Sequence, residues 1–466
     1  MNILDQVISF LADQNIDAYL VGGLVRDQLL GRPVRDIDLA IDGDASALAR
    51  EFANARGGAF YLMDEEHNVA RVIFEDTYID FAEMRGSLRE DLSTRDFTIN
   101  AMARSIGADE LNDPFHGQRD LQAKHVRAVS DGAFQKDPVR LLRALRIAGE
   151  LGFTFDKHTE MLIQRDASLL AFASMERARD EFCKILALDN YVALLRRADE
   201  LGLLAPFLPE IAALNGITQS APHVYDVLEH TLRVAAEVEA IQAREFAEIA
   251  NGEFAAELQT HFAQIVSAER ERGLLLRLAA LVHDIGKPET RSVDDSGAIH
   301  FYQHETRGAE MCDALMRRLR FSNDEVAIVT RVVLHHLRPA WLENEPSISN
   351  RAVHRFFRDA GDAGIDVCAL ALADRRGTYA PDFVGNADAP THKVCARLLE
   401  PYFHARETVI APPALIDGRA LMRELGLQPG KRVGELLDAI REAQVDGEVK
   451  SREDAIACAR HLISNL

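Results

Sequence analysis

Cysteine is scarce in this 466-residue chain and follows no pattern: Cys183, Cys312, Cys368, Cys395 and Cys458 are odd in number, widely spaced and include no Cys-x-x-Cys pair. The sequence therefore offers no disulfide framework, and the five read as reduced core residues. Long apolar runs are missing too, none approaching the roughly 20 residues that a membrane-spanning helix needs. The opening MNILDQVISF has no basic region ahead of its apolar stretch, as a secretory leader would. A cytoplasmic protein with no membrane partner is expected. Positive charge is in deficit, 53 basic against 74 acidic residues for a net charge of −21. Nucleic-acid affinity normally rests on phosphate neutralisation, so any such site must be a local basic surface. There is no long repeat and no low-complexity tract. What is present in quantity is hydrophobic residue, 47% of the chain, enough for about three domains with sizeable cores.

Two segments near the N-terminus carry chemistry. In Gly22-Gly23-Leu24-Val25-Arg26-Asp27 a small-residue turn follows the apolar run from Ala18 to Val21, so backbone amides can approach a phosphate before Arg26 adds charge. In Arg35-Asp36-Ile37-Asp38-Leu39 two carboxylates are separated by one apolar residue. On a strand they project from the same face while Ile37 and Leu39 go to the other. Two acids held that close repel unless a cation lies between them, and Mg²⁺, usually held by one or two carboxylates plus substrate phosphates, suits the place. Either segment alone is common on turns and solvated strand edges. Together they read as a nucleotidyl-transfer site.

Further motifs follow in order: Arg95-Asp96-Phe97-Thr98-Ile99-Asn100, then DPFHGQRDL, then KDPVRLLRALRIAGELGF. With GGLVRDQLLGRPVRDIDLAID they make the chain resemble the bacterial tRNA nucleotidyltransferase and poly(A) polymerase family, a branch of the polymerase-β superfamily. The resemblance implies an α/β head, a helical neck that reads the incoming base, and helical body and tail regions that hold tRNA. It implies CTP and ATP as substrates, Mg²⁺ on Asp36 and Asp38, a triphosphate held by Gly22, Gly23 and Arg26, and Arg95, Asp96 and Asn100 lining the ribose and phosphate side. A third acid is expected at Asp80, since Thr77 to Glu83 alternates as a strand after Asn68 to Phe74. Glu83 is the weaker candidate.

The family's Glu-Asp-x-x-Arg motif, which uses its Asp and Arg as a template for the base edge of CTP or ATP, appears as Lys136-Asp137-Pro138-Val139-Arg140. Asp137 and Arg140 match and Lys136 replaces the Glu. A carboxylate accepts from an exocyclic amino group while a guanidinium donates to ring nitrogens or carbonyls. Arg140, Arg143 and Arg146 share one helix face, which offers a local basic surface. Thr94 is a second departure, standing where the family usually has Arg. Only Met84 to Arg89 separates Glu83 from Glu90-Asp91-Leu92, where members with full CCA specificity carry a longer switching loop. Activity restricted to CC addition stays open, as does poly(A) synthesis.

The middle of the chain follows the order of an HD-type metal phosphohydrolase: His230, His283-Asp284, His304, His335-His336 and Asp374. Imidazoles with carboxylates suit a one- or two-metal hydrolytic centre and prefer a transition metal to Mg²⁺. Helical neighbours point about 100° apart, so one of His335 and His336 faces the site, and His336 is favoured. The expected organisation is a nucleotidyltransferase head over 1–125, a neck over 126–215, an HD body over 216–380, and a helical tail over 381–466. Pro381, Gly385, Asn386 and Pro390 mark a linker, and Gly426 to Gly430 a helix break whose Lys431 and Arg432 either touch tRNA or open a solvated helix. Two alternatives belong to other classes. An HD phosphohydrolase with a nucleotide-binding N-terminal half leaves two repelling carboxylates without a purpose, and a structural RNA-binding protein fits poorly with the charge of −21.

Overall fold

A computed structural model describes residues 2–14, 16–34, 36–75, 77–108, 110–379 and 388–464. Two compact units result, Met1–Phe207 and Leu208–Leu466.

In the first unit a seven-stranded sheet is made by β1 (Ala18–Val21), β2 (Asp36–Ile41), β3 (Ala59–Asp64), β4 (Val69–Ile73), β5 (Tyr78–Glu83), β6 (Ala103–Ser105) and β7 (Leu111–Asn112). Its order is β3-β4-β5-β2-β1-β6-β7, with β2 and β5 parallel and the other neighbours antiparallel. Alternation in the sequence decides which face is which. Ile37, Leu39, Ile41, Ile79 and Phe81 are buried under the Ala45–Arg56 helix, where the Phe52 ring lies 6.0 Å from that of Phe81. That helix begins where the Asp44 carboxylate accepts the Ala47 N–H, a cap that satisfies one of its free donors. The opposite face carries Asp36, Asp38, Tyr78 and Asp80, with Asp38 directly beside Asp80 in the β2–β5 register. Helices follow the sheet, among them Arg140–Leu151 and Met175–Leu186, which pack together through apolar stripes that include Leu141, Leu145, Phe182 and Ile185.

The second unit is mostly helical. Val227–Ala243, Arg272–Val282, His304–Arg318, Asn323–His335 and Ala363–Thr378 form its centre. Gly418–Leu425, Lys431–Val445 and Arg452–Ser464 make a separate small core around Leu421, Leu436, Ile440 and Ala455. The break expected at Gly426 exists because that residue turns left-handed, φ 67°, to close its helix. Lys431 opens the next helix with a solvated side chain that pairs with Glu435. The linker positions Pro381, Gly385 and Asn386 lie outside the described residues. Pro390 is not in a linker: it occupies the first turn of the Ala389–His404 helix, where a missing N–H breaks no bond. All five cysteines are free, four of them buried and Cys458 half-buried. Among the described residues no helix is long and apolar enough to cross a membrane.

Two candidate active sites

The polar face of the sheet borders a cavity of about 240 Å³. The turn after β1 forms one wall with Gly22 and Gly23, and Asp38, Arg95, Asp96 and Asn100 line the middle. Asp137 and Arg140 line it as well. Gly22 has φ 75°, and a Cβ there would come within 2.9 Å of the Arg95 guanidinium and 3.1 Å of an Asp38 oxygen. Only glycine fits that approach. Two further residues complete the lining, Arg143 and Arg177. Arg143 stood in the arginine stripe of the sequence, but Arg177 gave no local signal: it is 40 residues from Asp137, whose carboxylate it grips.

Arg26 does not line this cavity. It is buried, with Nε and Nη2 on the Asp27 carboxylate at 2.9 and 2.8 Å and Nη1 on the Asn100 side-chain oxygen at 2.9 Å. These bonds belong to a closed circuit. Asn100 donates to Asp96 at 3.0 Å, Asp96 accepts from Arg143, and Arg143 approaches Glu181 at 3.7 Å. Glu181 accepts from Arg146 at 2.6 Å, and Arg146 donates to Glu150 at 2.8 Å. Glu150 accepts from Arg32 at 2.9 Å, and Arg32 lies 3.9 Å from Asp27. Of the arginines expected to form a basic surface along Arg140–Leu151, Arg143 and Arg146 are therefore committed within the protein. Burial would push Asp96 up, but Arg143 and Asn100 outweigh it and hold its carboxyl below the usual range.

The three head carboxylates differ. Asp36 is exposed, lies outside the cavity lining, and accepts a hydrogen bond from Tyr78, whose phenol is pushed up to about 12 by burial and by that acid. Asp38 is pushed up by burial and by neighbouring Asp80 and Asp36, against the pull of Arg95. Asp80 has both oxygens on Arg71, at 2.7 and 2.8 Å. Of the three, only Asp38 lines the cavity, and a cation there would stabilise its charged form, with Asp36 next but one on the same strand face. Asp80 is already neutralised. Glu83 accepts from Asn68 at 2.6 Å at the far end of β5.

In the second unit the helices bring His230, His283, Asp284, His304, His336 and Asp374 together. Two sets of ligand atoms have the spacing of a metal site, His230–His283–Asp284 and Asp284–His304–His336, sharing Asp284. They are the only such sets among the described residues. Each imidazole is oriented from behind: Nδ1 of His230, His283, His304 and His336 bonds to the main-chain oxygen of Gly377, Ala280, Phe301 and Val333 respectively. With Nδ1 the donor, Nε2 presents a lone pair. His230 Nε2 lies 3.1 Å from Asp374 and 3.5 Å from Asp284, His283 Nε2 3.2 Å from Asp284, and His304 Nε2 3.3 Å from Asp284. Acceptors facing acceptors at these distances fit a bound cation. Burial pushes His336 down to about 3 and keeps it a neutral ligand, whereas His335 is only half-buried. Gly286 permits the arrangement, since a Cβ would stand 2.2 Å from the His304 carbonyl oxygen.

A cavity of about 370 Å³ opens onto this cluster, lined by Asp284, His304, His336 and Asp374. Among the polar lining residues that the sequence reading missed, two stand next to the ligand set. Lys287 places Nζ 2.6 Å from Asp284, and His223 stacks on His230 with ring centroids 5.0 Å apart.

Comparison with known proteins finds family matches in both units. The poly A polymerase head domain family matches residues 18–127, the HD domain family residues 227–376, and a tRNA nucleotidyltransferase domain family residues 409–459. The A-adding tRNA nucleotidyltransferase of Deinococcus radiodurans is 34% identical over 94% of each chain. The CC-adding tRNA nucleotidyltransferase of Thermus thermophilus is 31% identical over 95% of this chain and 92% of its own. A solved CCA-adding enzyme in complex with ATP has the same fold, with a TM-score of 0.64 at 22% identity over 99% of this chain and 94% of that one. An α/β polymerase-type head followed by a mostly helical remainder with an HD domain is thus the architecture, and the chain belongs to the tRNA nucleotidyltransferase family.

Proposed function

We propose that the protein extends tRNA 3′ ends with nucleotides from CTP and ATP at the first-unit cavity. The observation that carries this reading is the convergence there of Gly22, Asp38, Arg95, Asp96, Asp137 and Arg140, drawn from separate segments of the chain. Gly22 and Gly23 leave room for the triphosphate, and Arg95 supplies charge beside it. Asp137 and Arg140 select the base. Asp36 and Asp38 hold Mg²⁺, which when bound supplies the positive charge that stabilises the transferring phosphoryl group. Asp80 supports the pair from the adjacent strand, and Arg26 and Asn100 brace the wall behind the phosphates. The four-part division into head 1–125, neck 126–215, HD body 216–380 and tail 381–466 fits the matched families, and the neck runs slightly past the unit boundary at Phe207.

The connection after β5 is short, since a helix already begins at Leu88 with a capping box from Ser87 and Glu90. That supports robust C addition and weaker terminal A addition. The test uses tRNAs ending at the discriminator base, at C and at CC, with CTP and ATP separately and together. Efficient A addition onto the CC-ended tRNA would overturn the restricted activity, and no addition to any of the three would overturn the main reading.

The buried imidazole cluster supports a second activity, metal-dependent phosphoester hydrolysis at His230, His283, Asp284, His304, His336 and Asp374, with a transition metal preferred to Mg²⁺. Its test is hydrolysis of a phosphomonoester or a 2′,3′-cyclic nucleotide with Mn²⁺, Ni²⁺ or Zn²⁺ supplied. No hydrolysis with any of these ions, together with no bound metal by elemental analysis, would make the cluster a structural remnant.

A further inference from the structure

The two residues proposed to read the base are held in different ways. Arg140 is fixed by the main chain: its guanidinium donates to the carbonyl oxygens of Thr94 at 2.6 Å, Arg95 at 3.1 Å and Ala133 at 3.4 Å. No single side-chain substitution elsewhere removes those acceptors. Asp137 is held by side-chain chemistry. Arg177, from the first turn of Met175–Leu186, donates Nη2 to Oδ2 at 2.6 Å and Nη1 to Oδ1 at 3.2 Å, a two-point grip on the carboxylate. The remaining bond to Oδ1 comes from the Val139 N–H at 3.2 Å. Arg140 Nε stands 4.0 Å from Oδ2, too far to share the task. Lys136, where the resemblance places a Glu, is exposed.

This matters because the last torsion of an Asp side chain is soft, so the carboxylate plane rotates unless something fixes it. Reading a base edge needs that plane. C and A present an exocyclic amino donor where U and G present a carbonyl acceptor, and a carboxylate favours the first pair only if its accepting oxygen stays aimed at that position. A two-point guanidinium grip fixes the plane, and an ammonium, with one point of charge, would not.

We infer that Arg177 is a positioning residue for nucleotide selection, holding the Asp137 carboxylate in the plane that accepts the amino group of C or A and rejects U and G. The inference rests on the base-reading role proposed for Asp137 and Arg140. Arg177 lines the same cavity, yet its side chain is 61% exposed, so replacing it disturbs little packing.

The experiment measures kcat/KM for CTP, ATP, UTP and GTP on tRNA lacking its terminal nucleotides and on tRNA ending in CC, for the full-length protein and for R177Q, R177K, D137A and the R177Q/D137A double variant. Thermal unfolding is followed for each. R177Q is expected to keep the wild-type Tm and to lose about tenfold of the preference for amino-bearing over carbonyl-bearing bases, the size of one good base contact. R177K is expected to resemble R177Q. In the D137A background, R177Q should change the preference no further, because the residue acts through Asp137. Equal losses with all four nucleotides, wild-type preference in R177Q, or preference losses that multiply in the double variant would each overturn the inference while leaving the template standing. Unchanged preference in D137A would overturn the template and the inference with it.

Discussion

The two sites balance their charge in opposite ways. In the first unit, acids and arginines around the cavity are paired with one another, in a circuit that runs from Asp96 through Arg143, Glu181, Arg146, Glu150, Arg32, Asp27, Arg26 and Asn100 back to Asp96. In the second, imidazole lone pairs and carboxylate oxygens face one another, and Lys287 brings positive charge to them from one side. A site of the first kind stands preformed and receives a charged substrate into an existing lattice of donors. A site of the second kind is completed by an ion. The contrast explains why the sheet face tolerates an open cavity, whereas His230 and His283 are almost wholly buried.

The sharpest way to break this comparison is to remove one acid from each site. Asp38→Asn is expected to lower nucleotide addition by about 100–1,000-fold, the usual cost of losing transition-state charge stabilisation, while metal retained by the second unit stays unchanged by elemental analysis. Asp284→Ala should abolish that metal binding and leave nucleotide addition within about twofold, since Asp284 lies in the second unit. Loss of both properties in either variant would show that the sites are not independent.

A smaller effect separates the supports. Asp366 is buried between Arg272, which donates at 2.8 Å, and His261 at 3.0 Å, and it ties the Arg272–Val282 helix, which leads into His283, to the helix bearing Asp374. Asp366→Ala strands a buried guanidinium and should destabilise the second unit by about 3–5 kcal/mol in urea unfolding. In the first unit, Glu181→Gln opens the circuit at a single carboxylate and should cost about 2 kcal/mol, with a higher KM for the nucleotide because Arg143 loses a partner. Unchanged urea midpoints would show these links to be ornamental.

The smallest effect is in pH. Asp96 and Asp366 are both held below the ordinary carboxylate range: burial raises each, but Arg143 and Asn100 win at the first, and His261 and Arg272 at the second. The folded state then binds fewer protons than the unfolded chain, so stability from these acids is complete above about pH 4, the usual carboxylate pKa, and is lost as pH falls below it. The share of the urea midpoint that comes from these two acids should be level down to about pH 5 and decline below about 4, on top of an earlier loss as pH falls through the usual His value near 6.5, where the unfolded chain protonates His336 and the fold does not. In Asp366→Asn the second unit's decline should be shallower, and an identical pH profile in that variant would remove Asp366 from the account.

How far the sequence could be read depended on the range of the interaction. The Asp36-Ile37-Asp38 alternation places two acids on one strand face wherever that strand lies, because the pleat has a period of two. Helical geometry alone showed that only one of His335 and His336 faces the site, and the packing of the helix decided for His336, which is buried. The acid Asp80 was legible as a strand residue, but its capture by Arg71 depends on β4 lying antiparallel to β5, which pairs Arg71 with Asp80 in register. Arg26 was legible as a cation near a glycine turn. Its burial against Asn100, 74 residues away, was not.

By itself, then, the sequence determined the local chemistry of this protein: the glycine turn, the paired acids, the Asp137–Arg140 spacing and the order of the histidines and aspartates, all set by the short periods of strand and helix. Tertiary structure alone decided which charges satisfy which. Arg143 meets Asp96 across 47 residues, Arg32 meets Glu150 across 118, and Arg177 meets Asp137 across 40. Such partners are chosen by how helices and sheet pack, since a guanidinium carries the same fork everywhere in the chain and only packing brings one carboxylate within its reach.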